Sequence, residues 1–227
     1  MKNKKVIIDV RNVSRYYGKE HSQVKAIENI SLQVHEQSFL TITGPSGSGK
    51  STLLNILGFL ISPTKGEVFF EGEKMTYEDF DTMADFRLNK IGIVFQSFNL
   101  IPVLNAKENI QVPLMIKKDM SEKEKDTRAE MLLEAVGLKN QAKQYPNELS
   151  GGEKQRVAIA RALACEPAVI LADEPTANLD TKNTEDVLKV MRELNEHSNT
   201  AFIFSTHDMR VIKYAKEKIE LRDGRII

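Results

Sequence analysis

The feature that most constrains this chain is the stretch Gly44-Pro45-Ser46-Gly47-Ser48-Gly49-Lys50-Ser51-Thr52. An apolar run of strand length, residues 39–43, leads into it, and a helical stripe of Leu53, Leu54 and Leu57 follows at once. This is the G-x-x-x-x-G-K-S pattern between a strand and a helix, the setting in which the pattern carries a mechanism. Glycines let the loop turn its backbone N–H groups inward, forming an anion nest above a helix N-terminus where the peptide dipoles also favour negative charge. Lys50 adds a point charge for the β- and γ-phosphates, and the hydroxyl of Ser51 suits Mg²⁺. Residues 44–52 are therefore expected to bind a nucleoside triphosphate.

The surrounding sequence fits a fold that presents such a loop. Apolar runs at residues 6–10, 68–70, 91–95, 169–172 and 201–204 alternate with helical stripes such as Val187, Leu188, Met191 and Leu194. Near-continuously apolar strands alternating with helices indicate an α/β protein with a mostly parallel sheet and helices on both faces. From about residue 102 to 145 the chain is charged and lacks strand signals, and Ser121 with Glu124 has capping-box spacing. A helix from there through Met131, Leu132 and Leu133, stopping at Gly137, makes this segment a mostly helical insertion. The charge run at residues 122–126 reads as a solvated helix face. The N-terminal strands, with residues 68–70, are expected to form a small antiparallel sheet.

Composition removes several classes. With 32 basic against 32 acidic residues, the chain has no net charge and offers no electrostatic case for a nucleic-acid partner. Cys165 is the single cysteine, so no disulfide scaffold is possible. The longest near-apolar run, residues 53–61, is interrupted by Asn55 and Gly58 and falls short of the roughly 18 residues of a membrane span. The basic start of the chain is cut by Asp9 and leads to no cleavage site, so no export signal is expected.

Two further stretches carry chemistry. Asp173 and Glu174 follow the apolar run 169–172, at the strand edge where open α/β sheets bind ligands. Asp173 would hold Mg²⁺ through water, and Glu174 would orient or deprotonate an attacking water; taken alone, the pair could also be a polar turn before Pro175. Leu149-Ser150-Gly151-Gly152-Glu153-Lys154-Gln155-Arg156 precedes a helix expected over about residues 153–164, giving a second helix N-terminus with bare N–H groups and a hydroxyl. Ser150 could equally be a simple N-cap. Two phosphate-binding helix ends in one chain suggest a nucleotide clamped between two faces.

Here the chain resembles a known family. LSGGEKQRVAIARAL is similar to the signature motif of ATP-binding cassette (ABC) ATPases, and GPSGSGKST and VILADEP are similar to their Walker A and Walker B motifs. The likeness covers essentially the whole chain in the family's order. It implies a P-loop NTPase core of the RecA-like kind, with an N-terminal antiparallel β part at about 1–38 and 62–75, core segments at 39–61, 76–96 and 150–227, and a helical part at 97–149. It implies that Tyr17, with Tyr16 beside it, stacks on adenine. Gln96 would reach Mg²⁺ and the attacking water, Asp180 belongs to the D-loop and is also a candidate N-cap, and His207 contacts the γ-phosphate. Lys50, Ser51, Gln96, Asp173 and Glu174 would act in cis on ATP and Mg²⁺. Ser150 and Gly152 would act in trans across a head-to-tail dimer with a second copy of the chain, with Gly151 between them also in the nucleotide-binding set.

Phe95-Gln96-Ser97-Phe98-Asn99-Leu100-Ile101-Pro102 and the residues after it resemble the lipoprotein-releasing, macrolide-export and cell-division branch. That implies an ATPase on the cytoplasmic face of the membrane, driving an FtsX/MacB-like permease contacted by Phe98, Leu100 and Ile101, in export, extraction or force transmission. A soluble cassette protein without a transporter and a nucleotide-dependent regulator are the alternatives. Two departures stand out. Gln37 occupies a turn position usually held by glycine, which puts that turn's geometry in question, and Glu153 stands where many members have glutamine, with no effect on phosphate contact expected.

Overall fold

The computed structural model describes residues 4–18, 23–77 and 79–227, so the first residues of the basic N-terminal cluster lie outside it. Strands β1 (Val6–Tyr17) and β2 (Val24–His35) form a long antiparallel hairpin and lead into β3 (Phe39–Thr43) and α1 (Lys50–Leu57). Strands β4 (Lys65–Phe70) and β5 (Glu73–Lys74) complete a four-stranded antiparallel sheet in the order β2-β1-β4-β5. After α2 (Phe80–Lys90) and β6 (Ile91–Val94) the chain turns helical, with α3 (Ala106–Met115), α4 (Glu122–Ala135) and α5 (Gly151–Leu163). Strand β7 (Val169–Asp173), α6 (Thr181–His197), β8 (Ala201–Ser205), α7 (Met209–Tyr214), β9 (Glu217–Arg222) and β10 (Arg225–Ile226) close the fold. The central sheet runs β10-β9-β3-β8-β7-β6 and is parallel except for the β10–β9 pair.

Side chains alternate across a strand, and here both faces of the central sheet are apolar, so both must be covered. Phe39, Ile170, Ala172, Phe202 and Phe204 face one core, shared with α3 to α7. Leu40, Ile42, Val169, Leu171, Ala201 and Ile203 face a second, shared with α1 and the antiparallel sheet. Phe39 anchors the first, its ring centroid 4.7 Å from that of Phe204 and 5.9 Å from that of Phe202. Removing such a buried ring costs about 3–5 kcal/mol. The sheet's carboxyl edge is thus held rigidly from both sides. None of the described helices is long and apolar enough to cross a membrane.

Several local expectations are revised. The expected N-terminal strand at 6–10 extends to Tyr17, because β2 pairs with its whole length. Gln37 does adopt the left-handed conformation, with φ of 56°, at a cost on the order of 1 kcal/mol. Its side-chain amide donates to the Ser198 carbonyl at 3.0 Å and its N–H to that of Asn199 at 3.3 Å, which offsets the strain. The charge run on α4 is not all solvated: Lys125 is buried and paired with Glu122, and Asp126 pairs across to Lys107 on α3. The capping box of Ser121 and Glu124 and the stop at Gly137, with φ of 70°, form as expected.

Candidate nucleotide-binding site

The glycine loop joins the buried strand β3 to α1, and its shape is set by what surrounds it. A Cβ on Gly44 would lie 2.1 Å from the Leu221 carbonyl oxygen, and one on Gly49 would lie 2.4 Å from that of Ala26. Both residues also have positive φ, 146° and 101°. Backbone from β9 and β2 therefore closes on the loop so tightly that only glycine fits. The N-cap position of α1 is Gly49, no side chain caps the helix, and its first turn has no acidic residue, so the helix N-terminus is open to an anion. Ser48 is buried, its N–H bonded to the Pro45 carbonyl at 3.2 Å. Lys50 Nζ lies over the loop, donating to the carbonyls of Gly44 at 2.8 Å and Pro45 at 3.0 Å.

Neighbouring strands β3, β8 and β7 end side by side and bring the acidic pair to this loop. Ser51 Oγ donates to Asp173 Oδ2 at 3.4 Å. A hydroxyl and a carboxylate so placed make a hard-oxygen pair suited to Mg²⁺, which keeps most of its shell as water and phosphate. Glu174 turns out of β7 with φ of 45°. Its N–H donates to the Ser205 carbonyl at 2.9 Å, Thr206 Oγ1 donates to Oε2 at 3.2 Å, and His207 Nδ1 meets Oε1 at 2.6 Å. A carboxylate held on both oxygens, on a strained backbone that is itself tied to Ser205 at a strand end, is fixed in direction. Thr206 was not singled out in the sequence; its place directly before His207 was the available signal.

Ser150 caps α5 through a reciprocal box with Glu153. The serine N–H and hydroxyl donate to Glu153 Oε2 at 2.8 and 2.7 Å, and Glu153 N–H donates back to Ser150 Oγ at 3.3 Å. Those bonds, the hydroxyl's first, hold the Glu153 carboxyl below its usual range. Ser150 is thus the N-cap that one reading of the sequence allowed, and Glu153 is tied to the very hydroxyl expected to meet phosphate. Asp180 is likewise the N-cap of α6, accepting from the Asn183 N–H at 2.9 Å. Gly152 packs on Asn183, where a Cβ would lie 2.3 Å from Oδ1, and Gly151 faces Leu179.

Gln96 follows β6, and its carbonyl accepts from Asn178 Nδ2 at 3.0 Å, joining it to the 177–180 loop. Just beyond, Phe98 and Asn99 are both left-handed, with φ of 62° and 49°, at about 1–2 kcal/mol each. Arg161 of α5 donates to both their carbonyls, at 2.8 and 2.5 Å. Of the three residues expected to meet a permease, Leu100 packs against the helical core, while Ile101 is exposed. Beside this loop lies a groove of about 300 Å³ lined by Leu88, Ile93, Phe95, Val112, Pro113 and Cys165 among others. Tyr17 is exposed at the end of β1, with the Arg15 guanidinium 4.9 Å from its ring centroid; Tyr16 lies about 6 Å from the ammonium groups of Lys25 and Lys65.

Comparison with known proteins supplies a second line of argument. The family model described as ABC transporter matches residues 27–177. An uncharacterized ABC transporter ATP-binding protein of Methanocaldococcus jannaschii, MJ1508, is 47% identical over 222 residues, covering 97% of this chain and 98% of its own length. One from Thermotoga maritima is 46% identical, covering 98% of this chain and 94% of its own length. Among solved structures, a dimeric post-hydrolysis state of the ATP-binding cassette MJ0796 bound to ADP and Pi superposes with a TM-score of 0.86 at 43% identity, covering 97% of this chain and 96% of that one. The cbiO1 protein of Clostridium perfringens, part of the cbiONQ transporter complex, gives a TM-score of 0.88 at 26% identity, covering 98% of this chain and 87% of that one.

Proposed function

The chain belongs to the ABC transporter family of ATP-binding proteins, and on that premise we propose how its own residues bind and hydrolyse ATP. The observation that carries the reading is the convergence of Lys50, Ser51, Asp173, Glu174 and His207 at the carboxyl ends of three adjacent strands, with Ser51 and Asp173 in hydrogen-bond contact. Residues 44–52 cradle the phosphates with inward N–H groups, and Lys50 exchanges its two carbonyl acceptors for β- and γ-phosphate oxygens. Ser51 and Asp173, with Gln96 alongside, would hold Mg²⁺, which when bound neutralises the developing phosphate charge. Tyr17, backed by Arg15, offers an open face for adenine.

Glu174 accepts the proton of the attacking water as the water adds to the γ-phosphorus and the bond from that phosphorus to the β–γ bridging oxygen breaks, leaving ADP and inorganic phosphate. The Thr206 hydroxyl and the Glu174 N–H contact keep the carboxylate aimed during that transfer. His207, engaged to Glu174 through Nδ1, leaves Nε2 to face the γ-phosphate, where it donates when the ring carries both protons.

Two copies close head to tail around two ATP molecules, Ser150 and Gly152 of one completing the site of the other. The dimeric ADP-and-Pi state of MJ0796, so similar in sequence and fold, supports this arrangement. The chain then works at the cytoplasmic face of a membrane with a separate permease of the FtsX/MacB type, seated by an apolar segment in the groove beside the Gln96 loop. The helical part at about 97–149 is the piece that such docking would move. The test is direct. Purified protein should hydrolyse Mg-ATP, Lys50→Ala should abolish this, and a tagged chain recovered from native membranes should carry one integral-membrane partner. Recovery without any membrane partner would contradict the transport reading.

A further inference from the structure

We propose that Arg161 is a positioning residue for ATP hydrolysis: from the last turn of the signature helix it clamps the loop that carries Gln96, so that Gln96 and Ser150 move as one piece. The inference rests on the roles proposed above for those two residues. Its basis is geometric. Helix α5 begins directly after Ser150 and carries Arg161 near its other end. The guanidinium fork takes two successive carbonyls, those of Phe98 and Asn99, two and three residues beyond Gln96.

Both carbonyls belong to left-handed residues, a conformation that a phenylalanine in particular does not hold without support. Within the loop, Ser97 Oγ donates to Asn99 Oδ1 at 2.7 Å and the Asn99 N–H to the Ser97 carbonyl at 2.6 Å. From outside, Asn178 fixes the Gln96 carbonyl and Arg161 fixes those of Phe98 and Asn99, the Ser97 carbonyl between them being taken by the Asn99 N–H. Among the described residues no carboxylate pairs with Arg161, and burial alone pushes its guanidinium below the usual range. A half-buried cation whose acceptors are two loop carbonyls cannot let the loop go without losing both hydrogen bonds. Arg161, Phe95 and Asn99 also line the groove beside the loop, so anything seated there touches the clamp itself.

A purely structural role, a cation stabilising the C-terminal end of α5, makes a different prediction. Arg161→Lys keeps the charge at the helix end but not the two-pronged fork. In the full-length protein, Arg161→Lys should lower kcat for Mg-ATP by roughly 10- to 100-fold while KM stays within about twofold, since the phosphate cradle is untouched. Amide hydrogen exchange at residues 97–101 should accelerate at least tenfold, with α5 unchanged. Adding Asn99→Gly, which relieves the left-handed strain, should restore part of kcat. In a Gln96→Ala background Arg161→Lys should cost nothing further, because it acts through Gln96. An additive loss there, or unaltered exchange in the loop, would overturn the proposal. Wild-type turnover in Gln96→Ala alone would instead refute the role of Gln96, leaving the clamp to be judged by the exchange measurement.

Discussion

Oε1 of Glu174 lies 2.6 Å from Nδ1 of His207, and the same carboxylate takes the Thr206 hydroxyl on its other oxygen at 3.2 Å. The carboxylate is largely shielded while the imidazole is open to solvent, with side-chain exposures of 18% and 77%. One partner is thus fixed in the site and the other reaches out from it, the arrangement expected of a base and the group that reads an incoming phosphate. His207→Ala should lower kcat by about 10²- to 10⁴-fold while nucleotide affinity changes far less. Paired measurements of steady-state ATPase and of ATP binding check this; a parallel loss of both would place His207 in binding instead.

The glycine loop is built into the fold as much as into the site. Gly49→Ala places a methyl group 2.4 Å from the Ala26 carbonyl at a φ of 101°, whereas Gly47→Ala meets nothing within 4 Å and bears only the backbone cost of a φ of 79°. Gly49→Ala should abolish ATP binding and lower the melting temperature clearly more than Gly47→Ala, whose cost of about 1 kcal/mol corresponds to about 2–4 °C in a chain of this size. Calorimetric titration with ATP and thermal melts of the two variants measure both. Equal effects would mean that the Ala26 contact does not shape the loop.

Glu153 gives a pH dependence of definite sign. Its carboxyl is held below the usual range by the Ser150 hydroxyl first and the Ser150 N–H second. A depressed folded-state value contributes stability that is present above the unfolded carboxylate range, about pH 4.3, and lost as pH falls through the folded value. Glu153→Gln lacks this contribution at every pH. Wild type should therefore be the more stable near neutrality, and the gap should close on acidification through the carboxylate range. Denaturant melts of both proteins across that range check it; a gap that widens in acid would reverse the assignment.

Much of this was legible in the sequence, and what was not has identifiable causes. The apolar central strands and the glycine loop announce themselves because each is buried on both faces or sterically confined, as Gly44 is by Leu221. Strand β9 escaped because its sequence, EKIELR, is mostly charged; its backbone pairing with β3 overrides the low strand propensity of Glu and Lys. The length of β1 and β2 was hidden by register shifts that break simple alternation. The motif residues could be named one by one, but not their connections. Nothing in the linear order relates Arg161 to Phe98, 63 residues away, or Glu153 to the proton of Ser150. Such links are made by packing between elements, which a linear pattern does not encode.

The central claim is that ATP closes two copies of this chain upon each other, with Lys50 and Glu174 from one and Ser150 from the other at each site. Glu174→Gln keeps the size of the side chain and removes the proposed base, so a closed state should form without being hydrolysed. Sedimentation of purified Glu174→Gln at saturating Mg-ATP measures this directly. The account predicts a dimer that requires ATP and is lost when Ser150→Ala is added; a protein that stays monomeric under those conditions would contradict it.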